Sequence, residues 1–368
     1  MRNIRVLQPT IDEQTKKDLM EVLDNGWLGQ GPKTAEFEKK LAEKVGTKFA
    51  VGTCSGTAAL DLCLRVYDDE YHFAGGELIT TPITFVSDAI IAFWHKMDLT
   101  FADVDKDSLC LDPSTIKITP KTRAIVVVNS HGRLADIKGI RDLVDKSGQK
   151  ILIIEDNAHA MFTPGVCQHS DIQIWSFQAV KTMPAGDGGA VTTNDERIAN
   201  ELKNITWLNV EKSTFARASG ETYSWEYDLS KGDGVKAYMN DIQATICIGQ
   251  LRRLDEMLAK RRTIQARYND AFLGIRQITT PEFSHTVQYY TMQCERRDEL
   301  HVFLAKCGIT TGVHFKPLSE MSFYKQFKKY PLPVTDSVWL RFLSLPCHDA
   351  LKFEELEYII DSVKKFYR

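Results

Sequence analysis

Three short stretches of the sequence carry residue types that could do chemistry together. The first is Ser55-Gly56-Thr57-Ala58-Ala59-Leu60, which follows the β-rich run Phe49-Ala50-Val51-Gly52. Small residues there let the backbone approach an anion, and a following helix would offer its unpaired N–H groups. An unliganded helix cap serves as an equal explanation for that stretch alone. The second is Ile151-Leu152-Ile153-Ile154-Glu155-Asp156-Asn157-Ala158-His159, an apolar run that delivers an acidic pair and then a histidine. A carboxylate at a buried strand end is costly unless it meets a cation, and a protonated pyridine nitrogen is one such cation. An aspartate capping the next helix is the structural alternative. The third is Trp175-Ser176-Phe177-Gln178-Ala179-Val180-Lys181, followed by Gly186-Asp187-Gly188-Gly189. A lysine among apolar neighbours loses its proton more readily, which makes its amine a nucleophile. Together the three supply an anion cradle, a carboxylate for a ring nitrogen and an amine for an aldehyde. Those are the requirements of a phosphorylated aldehyde cofactor.

The elements that must position these groups are legible from periodicity. β-rich runs fall at 48–52, 77–80, 99–103, 124–128, 151–155, 172–176 and 189–193, with helical patterns between several of them, including 57–66 and 136–147. Such alternation predicts an α/β fold: a large unit with a mostly parallel seven-stranded sheet flanked by helices. Helices are also expected at 11–24, ended by Asn25-Gly26, and at about 33–45. A long helical region is expected over 238–272. Short strands at 288–293 and 310–315, with helices at 297–307 and 353–366, predict a smaller C-terminal α+β unit. The expected division is 1–248 and 249–368. The polar, aromatic stretch 206–234 reads as a loop that crosses to a partner or covers the substrate.

Bulk properties exclude several function classes. A chain of 368 residues with formal net charge −3 gives no support for a nucleic-acid surface. Clusters such as Lys260-Arg261-Arg262 fit a solvated helix face. No apolar run approaches the roughly 20 residues that span a bilayer, and Met1-Arg2-Asn3-Ile4-Arg5 lacks the apolar core of a signal peptide, so a cytoplasmic location is expected. The eight cysteines are scattered with no C-x-x-C pair, which fits reduced thiols. Cys167 and His169 have nothing near them to complete a metal site, and no metal is expected.

At the three chemical stretches the sequence resembles the DegT/DnrJ/EryC1/StrS family, fold-type-I aminotransferases that depend on pyridoxal 5′-phosphate and act on nucleotide-linked keto sugars. The resemblance runs almost end to end. It includes Gly26-Trp27-Leu28-Gly29-Gln30-Gly31-Pro32, Phe37-Glu38, Thr81-Pro82-Ile83-Thr84-Phe85-Val86-Ser87 and Asp103-Val104-Asp105. Asp241-Ile242-Gln243-Ala244, Gln250-Leu251, Gly312-Val313-His314-Phe315 and Leu345-Pro346 continue it. What the resemblance implies is specific. Lys181 binds the cofactor covalently and moves protons, and Asp156 keeps the pyridine nitrogen protonated. Gly56, Thr57 and Ser176 hold the phosphate, Phe85 stacks on a ring face, and His159 lies near the phenolic oxygen. His314 and Phe315, with Tyr238, stand where the substrate is expected. The implied reaction is a ping-pong transfer from an amino acid, glutamate favoured, to a nucleotide-linked keto sugar. His159 and the stretch Gly308–Phe315, together with Leu318–Tyr330, resemble the branch that aminates C4 of UDP-linked 4-keto sugars, with GDP- and dTDP-linked sugars left open. A homodimer with shared active sites is implied as well.

The sequence departs from the family at Tyr238, where asparagine or arginine is usual, and at Asp187, where glutamate is. Asn129 replaces a common histidine, with His131 two positions on, and the segment between His159 and Ser176 is short. Competing readings are a sugar 3-dehydratase, which would carry histidine at position 181, an amino-acid lyase, and a regulatory or sensing protein that binds the cofactor without turnover. A nicotinamide enzyme would need a G-x-G-x-x-G turn that Ser55-Gly56-Thr57 does not supply.

Overall fold

The structure is a computed structural model, and it describes residues 3–210, 214–218, 228–229, 231–282 and 284–368. Seven strands form the main sheet: β1 (Phe49–Thr53), β2 (Glu77–Thr80), β3 (Asp98–Phe101), β4 (Thr122–Val128), β5 (Leu152–Asp156), β6 (Ile172–Ser176) and β7 (Gly189–Thr193). Their order across the sheet is β1-β7-β6-β5-β4-β2-β3. β7 runs antiparallel to both neighbours, and every other pairing is parallel. The seven β-rich runs of the sequence are these seven strands. Ala124–Val128 and Leu152–Asp156 are buried on both faces, as continuous apolar runs in a parallel sheet should be.

Helices cover both faces: α1 (Glu13–Asn25), α2 (Pro32–Val45), α3 (Gly56–Tyr71), α4 (Ser87–Trp94), α5 (Ile137–Ser147), α6 (Glu196–Ile205), α7 (Thr214–Ala218) and α8 (Asp241–Phe272). Their ends carry the expected devices. Asp12 caps α1 by accepting the amide of Thr15, and Gly26 closes it at φ 73°. Asn240 and Gln243 form a capping box that starts α8. One core packs α3, α4 and α6 against the sheet through Leu60, Leu64, Ile91, Val126 and Ile154. On the other face, Phe37, Leu41, Trp175 and Phe177 pack against Cys247, Leu254 and Met257 of α8.

A second, three-stranded sheet has the order β10-β9-β8, from β8 (Ile278–Thr279), β9 (Tyr290–Cys294) and β10 (Phe342–Leu345). With α9 (Arg297–Lys306), α10 (Pro333–Val338) and α11 (Phe353–Tyr367) it completes the chain's regular elements. Its core joins Ile264 and Tyr268 of α8 to Tyr290, Leu300, Leu343 and Ile360, and takes in Ile4 from the start of the chain. The 32-residue helix α8 therefore serves both cores. We propose to keep a division near 248/249, with α8 as the spine the two units share. Two particulars differ from expectation. The predicted strand over 310–315 is only a single bridge, Gly312 to Ser344, because the chain then turns to send His314 and Phe315 into the main cavity. The stretch 206–234 lies in part (211–213, 219–227 and 230) outside the described residues, and so does the reading of it as a crossing or covering loop.

Candidate functional site

A cavity of about 470 Å³ opens where the parallel strands end, lined among others by Gly56, Asp156, His159, Ser176, Lys181 and His314. Strand ends of an open α/β sheet are the expected place for a ligand.

β5 carries Glu155 and Asp156 to that edge, and strand alternation sends them to opposite sides. Glu155 turns away, accepting the amide of Cys167 (3.0 Å), the hydroxyl of Ser170 (2.6 Å) and the amide group of Asn129 (2.9 Å). It holds the loop after the strand. Asp156 lines the cavity, where its Oδ1 accepts the amide of Ala158 at 2.7 Å. Burial raises its pKa, and Lys181 opposes that rise.

Lys181 rides on an irregular hairpin between β6 and β7. The hairpin is stitched by Phe177 to Gly188, Ala179 to Gly186 and Ala185 to Phe177, each an amide donating to a carbonyl. Gly186 and Gly188 have φ of 85° and 141°, which is why the turn is rich in glycine. Lys181 as a residue is half-buried, and it lines the cavity. Enclosure lowers its pKa, against the pull of Asp156 and Asp88. Gln288, fully buried, brackets the lysine: its Nε2 donates to the carbonyl of Val180, and the hydroxyl of Thr182 donates to its Oε1, both at 2.7 Å.

α3 begins at the cavity. Ser55 caps it by accepting the amide of Ala58 at 3.1 Å, which leaves the amides of Gly56 and Thr57 in the unpaired first turn. Packing here is tight. A Cβ on Gly56 would sit 2.9 Å from Cβ of Ser176, and one on Gly189 would sit 2.4 Å from the carbonyl of Ser55.

The aromatic side of the cavity is built from His159, His314, Tyr289 and Phe315, with His131 behind them. His159 stacks on Phe315 (centroids 5.8 Å apart, 21°) and meets Tyr289 edge-on. Its Nδ1 accepts the amide of His131 at 3.5 Å, a tautomer that leaves the hydrogen on Nε2. His131 Nε2 meets the carbonyl of His314 at 2.6 Å, and His314 Nδ1 meets the hydroxyl of Ser344 at 2.9 Å. Burial holds all three rings neutral at pH 7. It takes His131 down to about 3 and His314 to about 4, with Lys181 adding to the fall at His314, and it also holds His159 well below the usual imidazole range. Phe85 is 54% exposed and stands 6.2 Å from the Phe315 ring.

The structure thus brings together nine of the residues singled out from the sequence: Lys181, Asp156, His159, Gly56, Thr57, Phe85, Ser176, His314 and Phe315. Tyr238 is elsewhere. It packs against Trp207 (4.8 Å) in a separate cavity of about 350 Å³ with Gly26, Trp27, Leu28, Gly29 and Gln30. Sequence reading passed over Asp88, Gln178, Tyr289 and Gln288. Asp88 directly follows the stretch Thr81–Ser87, but an acid in the first turn of a helix reads equally as a dipole partner. Gln288 gives no signal in a single sequence.

The donor set fits a phosphorylated pyridine aldehyde. A buried carboxylate awaits a cationic partner, first-turn amides await an anion, and an enclosed amine stands between them. Among the described residues no cluster of His, Cys, Asp or Glu could hold a metal ion, and no helix is long and apolar enough to cross a membrane.

Comparison with known proteins agrees. The profile of the DegT/DnrJ/EryC1/StrS aminotransferase family matches residues 9–364. The spore coat polysaccharide biosynthesis protein SpsC of Bacillus subtilis strain 168 is 32% identical over 376 residues, covering 97% of this chain and 95% of SpsC. Among solved structures, the sugar aminotransferase Spr1654 of Streptococcus pneumoniae in its PMP form superposes with a TM-score of 0.90 at 28% identity, over 99% of each chain. DesI bound to its TDP-sugar product gives 0.87 at 25% identity, over 100% of this chain and 93% of that one.

Proposed function

We propose, from the premise that this chain belongs to the DegT/DnrJ/EryC1/StrS aminotransferase family, that it moves an amino group from L-glutamate to a nucleotide-linked 4-keto sugar, UDP-linked ahead of GDP- or dTDP-linked. The chain is a pyridoxal-phosphate-dependent sugar aminotransferase; the donor, the nucleotide and the carbon are the proposal. The observation that carries it is the convergence of Lys181, Asp156 and the first-turn amides of α3 on one cavity.

Bound there, pyridoxal phosphate supplies an electron sink for the carbon whose C–H bond breaks. Lys181 anchors it and serves as the base. Burial disfavours the ammonium form, so the amine is available to take a proton and return it. Asp156 keeps the ring nitrogen protonated. Gly56 and Thr57 offer amides to the phosphate, with the Ser176 hydroxyl beside them. His159 would offer its Nε2 hydrogen to the cofactor's phenolic oxygen, and Phe85 would pack against its ring. His314 and Phe315 meet the sugar at the mouth. SpsC, a polysaccharide biosynthesis protein, and DesI, which holds a TDP-sugar, support the sugar-nucleotide class. The His159 motif and the stretch Gly308–Phe315 support the 4-keto, UDP-linked branch.

We place the enzyme in the cytoplasm as a homodimer with shared active sites. The separate cavity that holds Tyr238 supports this, because a second subunit there would bring Tyr238 to the substrate of its neighbour.

The test is an absorbance spectrum of the purified protein and of Lys181→Ala, before and after L-glutamate. The wild type should show a yellow band that glutamate moves to the ultraviolet and that one sugar nucleotide restores. Lys181→Ala should show no such response. A wild type that takes up the cofactor and answers to no amino donor would favour a regulatory or sensing role instead.

A further inference from the structure

Asp88 has no role in the reading above. It sits in the first turn of α4, fully buried, and lines the same cavity as Asp156 and Lys181. Its Oδ2 accepts the hydroxyl of Thr84. Its buried Oδ1 has no hydrogen-bond partner among the described residues, and the acid that acts on it is Asp156, which lines the same cavity. Two neighbouring carboxylates in a dry site cannot both ionise, and one proton between them turns repulsion into a hydrogen bond.

What else each acid meets decides where that proton rests. Asp156 also accepts the amide of Ala158, whereas Asp88 has one hydroxyl only. Burial raises both, but the charge of Asp156 raises Asp88 further, while Asp88 acts to lower Asp156. Lys181 is the cation that faces the pair from the β6–β7 hairpin. From α3 the titratable neighbour is Cys63, a fully buried thiol that burial keeps neutral.

We infer that Asp88 is a positioning residue: as a protonated acid it donates from Oδ1 to Asp156, so that the pair shows one negative charge, held on Asp156, to the cofactor's ring nitrogen. This rests on the reading of Asp156 as the partner of that nitrogen. One charge matches one protonated nitrogen. A second would overshoot it, and loss of the donor would leave Asp156 a desolvated carboxylate short of a hydrogen bond.

Two variants separate the possibilities. In Asp88→Asn the carboxamide can donate to Asp156 and accept from Thr84, which copies the protonated acid. Asp88→Ala removes the donor. Infrared spectra of cofactor-free protein with isotope-labelled aspartate should show a protonated carboxyl at neutral pH in the wild type and lose it in Asp88→Asn. Pyridoxal phosphate should bind Asp88→Asn within about twofold of wild type and Asp88→Ala about tenfold more weakly, the scale of one lost hydrogen bond to a charge. Thermal melts establish that each variant is folded. The inference is overturned if the wild type lacks the band, if Asp88→Asn keeps it or binds the cofactor tenfold more weakly, or if Asp88→Ala binds like wild type. An Asp156→Ala control tests the underlying reading separately. If it binds the cofactor with unchanged affinity and spectrum, Asp156 does not serve the nitrogen, whatever the infrared shows of the pair.

Discussion

Gly189→Ala tests the anion cradle with one methyl group. Gly189 opens β7 directly against the Ser55–Gly56 peptide, where a Cβ would lie 2.4 Å from the Ser55 carbonyl carbon and oxygen and 2.6 Å from the Gly56 nitrogen. Non-bonded carbons settle at roughly 3.5–4.0 Å, so the start of α3 must retreat by about 1 Å. Gly189 is not among the glycines with a left-handed φ, so backbone strain adds nothing and the effect is steric. Overpacking of this kind costs about 1–3 kcal/mol of stability, and contact with backbone puts Gly189→Ala at the upper end. If the Gly56 and Thr57 amides hold the phosphate, displacing them loses two hydrogen bonds to a charged group, about 1.5 kcal/mol each, and should weaken cofactor binding by about 100-fold. Gly56→Ala is the graded partner, because its Cβ would meet Cβ and Oγ of Ser176 at 2.9 Å and 3.2 Å, a smaller overlap than the one at Gly189. It should cost about tenfold, near 1.4 kcal/mol. Fluorescence titration of cofactor-free protein reads the affinities, and calorimetry reads the melting points. A folded Gly189→Ala protein that binds pyridoxal phosphate within twofold of wild type would refute the placement of the phosphate.

Glu38→Gln should remove a pH dependence of stability. The Glu38 carboxyl is enclosed, accepts the Gly52 amide at 2.8 Å, and is pushed by burial from its ordinary 4.5 up to about 7. A raised acid binds its proton more tightly when folded, so wild-type stability should fall as pH rises from 4.5 to about 7 and level off above, by about 3 kcal/mol at most. Urea melts at pH 5 and pH 8 check it: the glutamine variant should match wild type at pH 5, be the more stable at pH 8, and show a flat profile. Gln288→Ala should lose the bracket on both sides of Lys181, costing about 2–3 kcal/mol of stability and lowering kcat more than it changes KM. Steady-state kinetics on the folded variant would count against that bracket if KM alone moved.

The elements that position the site were legible because their signals are local. The apolar run Ile151–Ile154 marks a buried strand by composition, and of the two acids that follow it, Asp156 is the one that faces the cavity. Ser55-Gly56-Thr57 and the glycines after Lys181 announce backbone geometry that few other sequences tolerate. Contacts that close over long sequence distances were not legible. Nothing near Gln288 shows that it grips Val180 and Thr182, and nothing near His131 shows that it takes the carbonyl of His314. The predicted strand at 310–315 failed for the same reason: alternation favoured a strand, but His131 and Ser344 draw the backbone and ring of His314 toward the cavity.

The electrostatics of the cavity argue for how so many titratable side chains serve a single proton transfer. His159 and His314 share the cavity with Lys181, with His131 behind them, and burial silences each of the three at neutral pH, so none competes with the lysine for a proton or adds a repelling charge. They act as hydrogen-bonding and stacking surfaces, a use of imidazole that needs the neutral ring. The lysine is held between acids that favour its charged form and an enclosure that disfavours it. Neutralising the ring nitrogen's partner acid would remove the first influence, and polar substitution of Phe315 or Tyr289 would relax the second. The two perturbations should therefore shift the lysine in opposite directions, and the pH dependence of amine-selective labelling of Lys181 in cofactor-free protein can read both shifts.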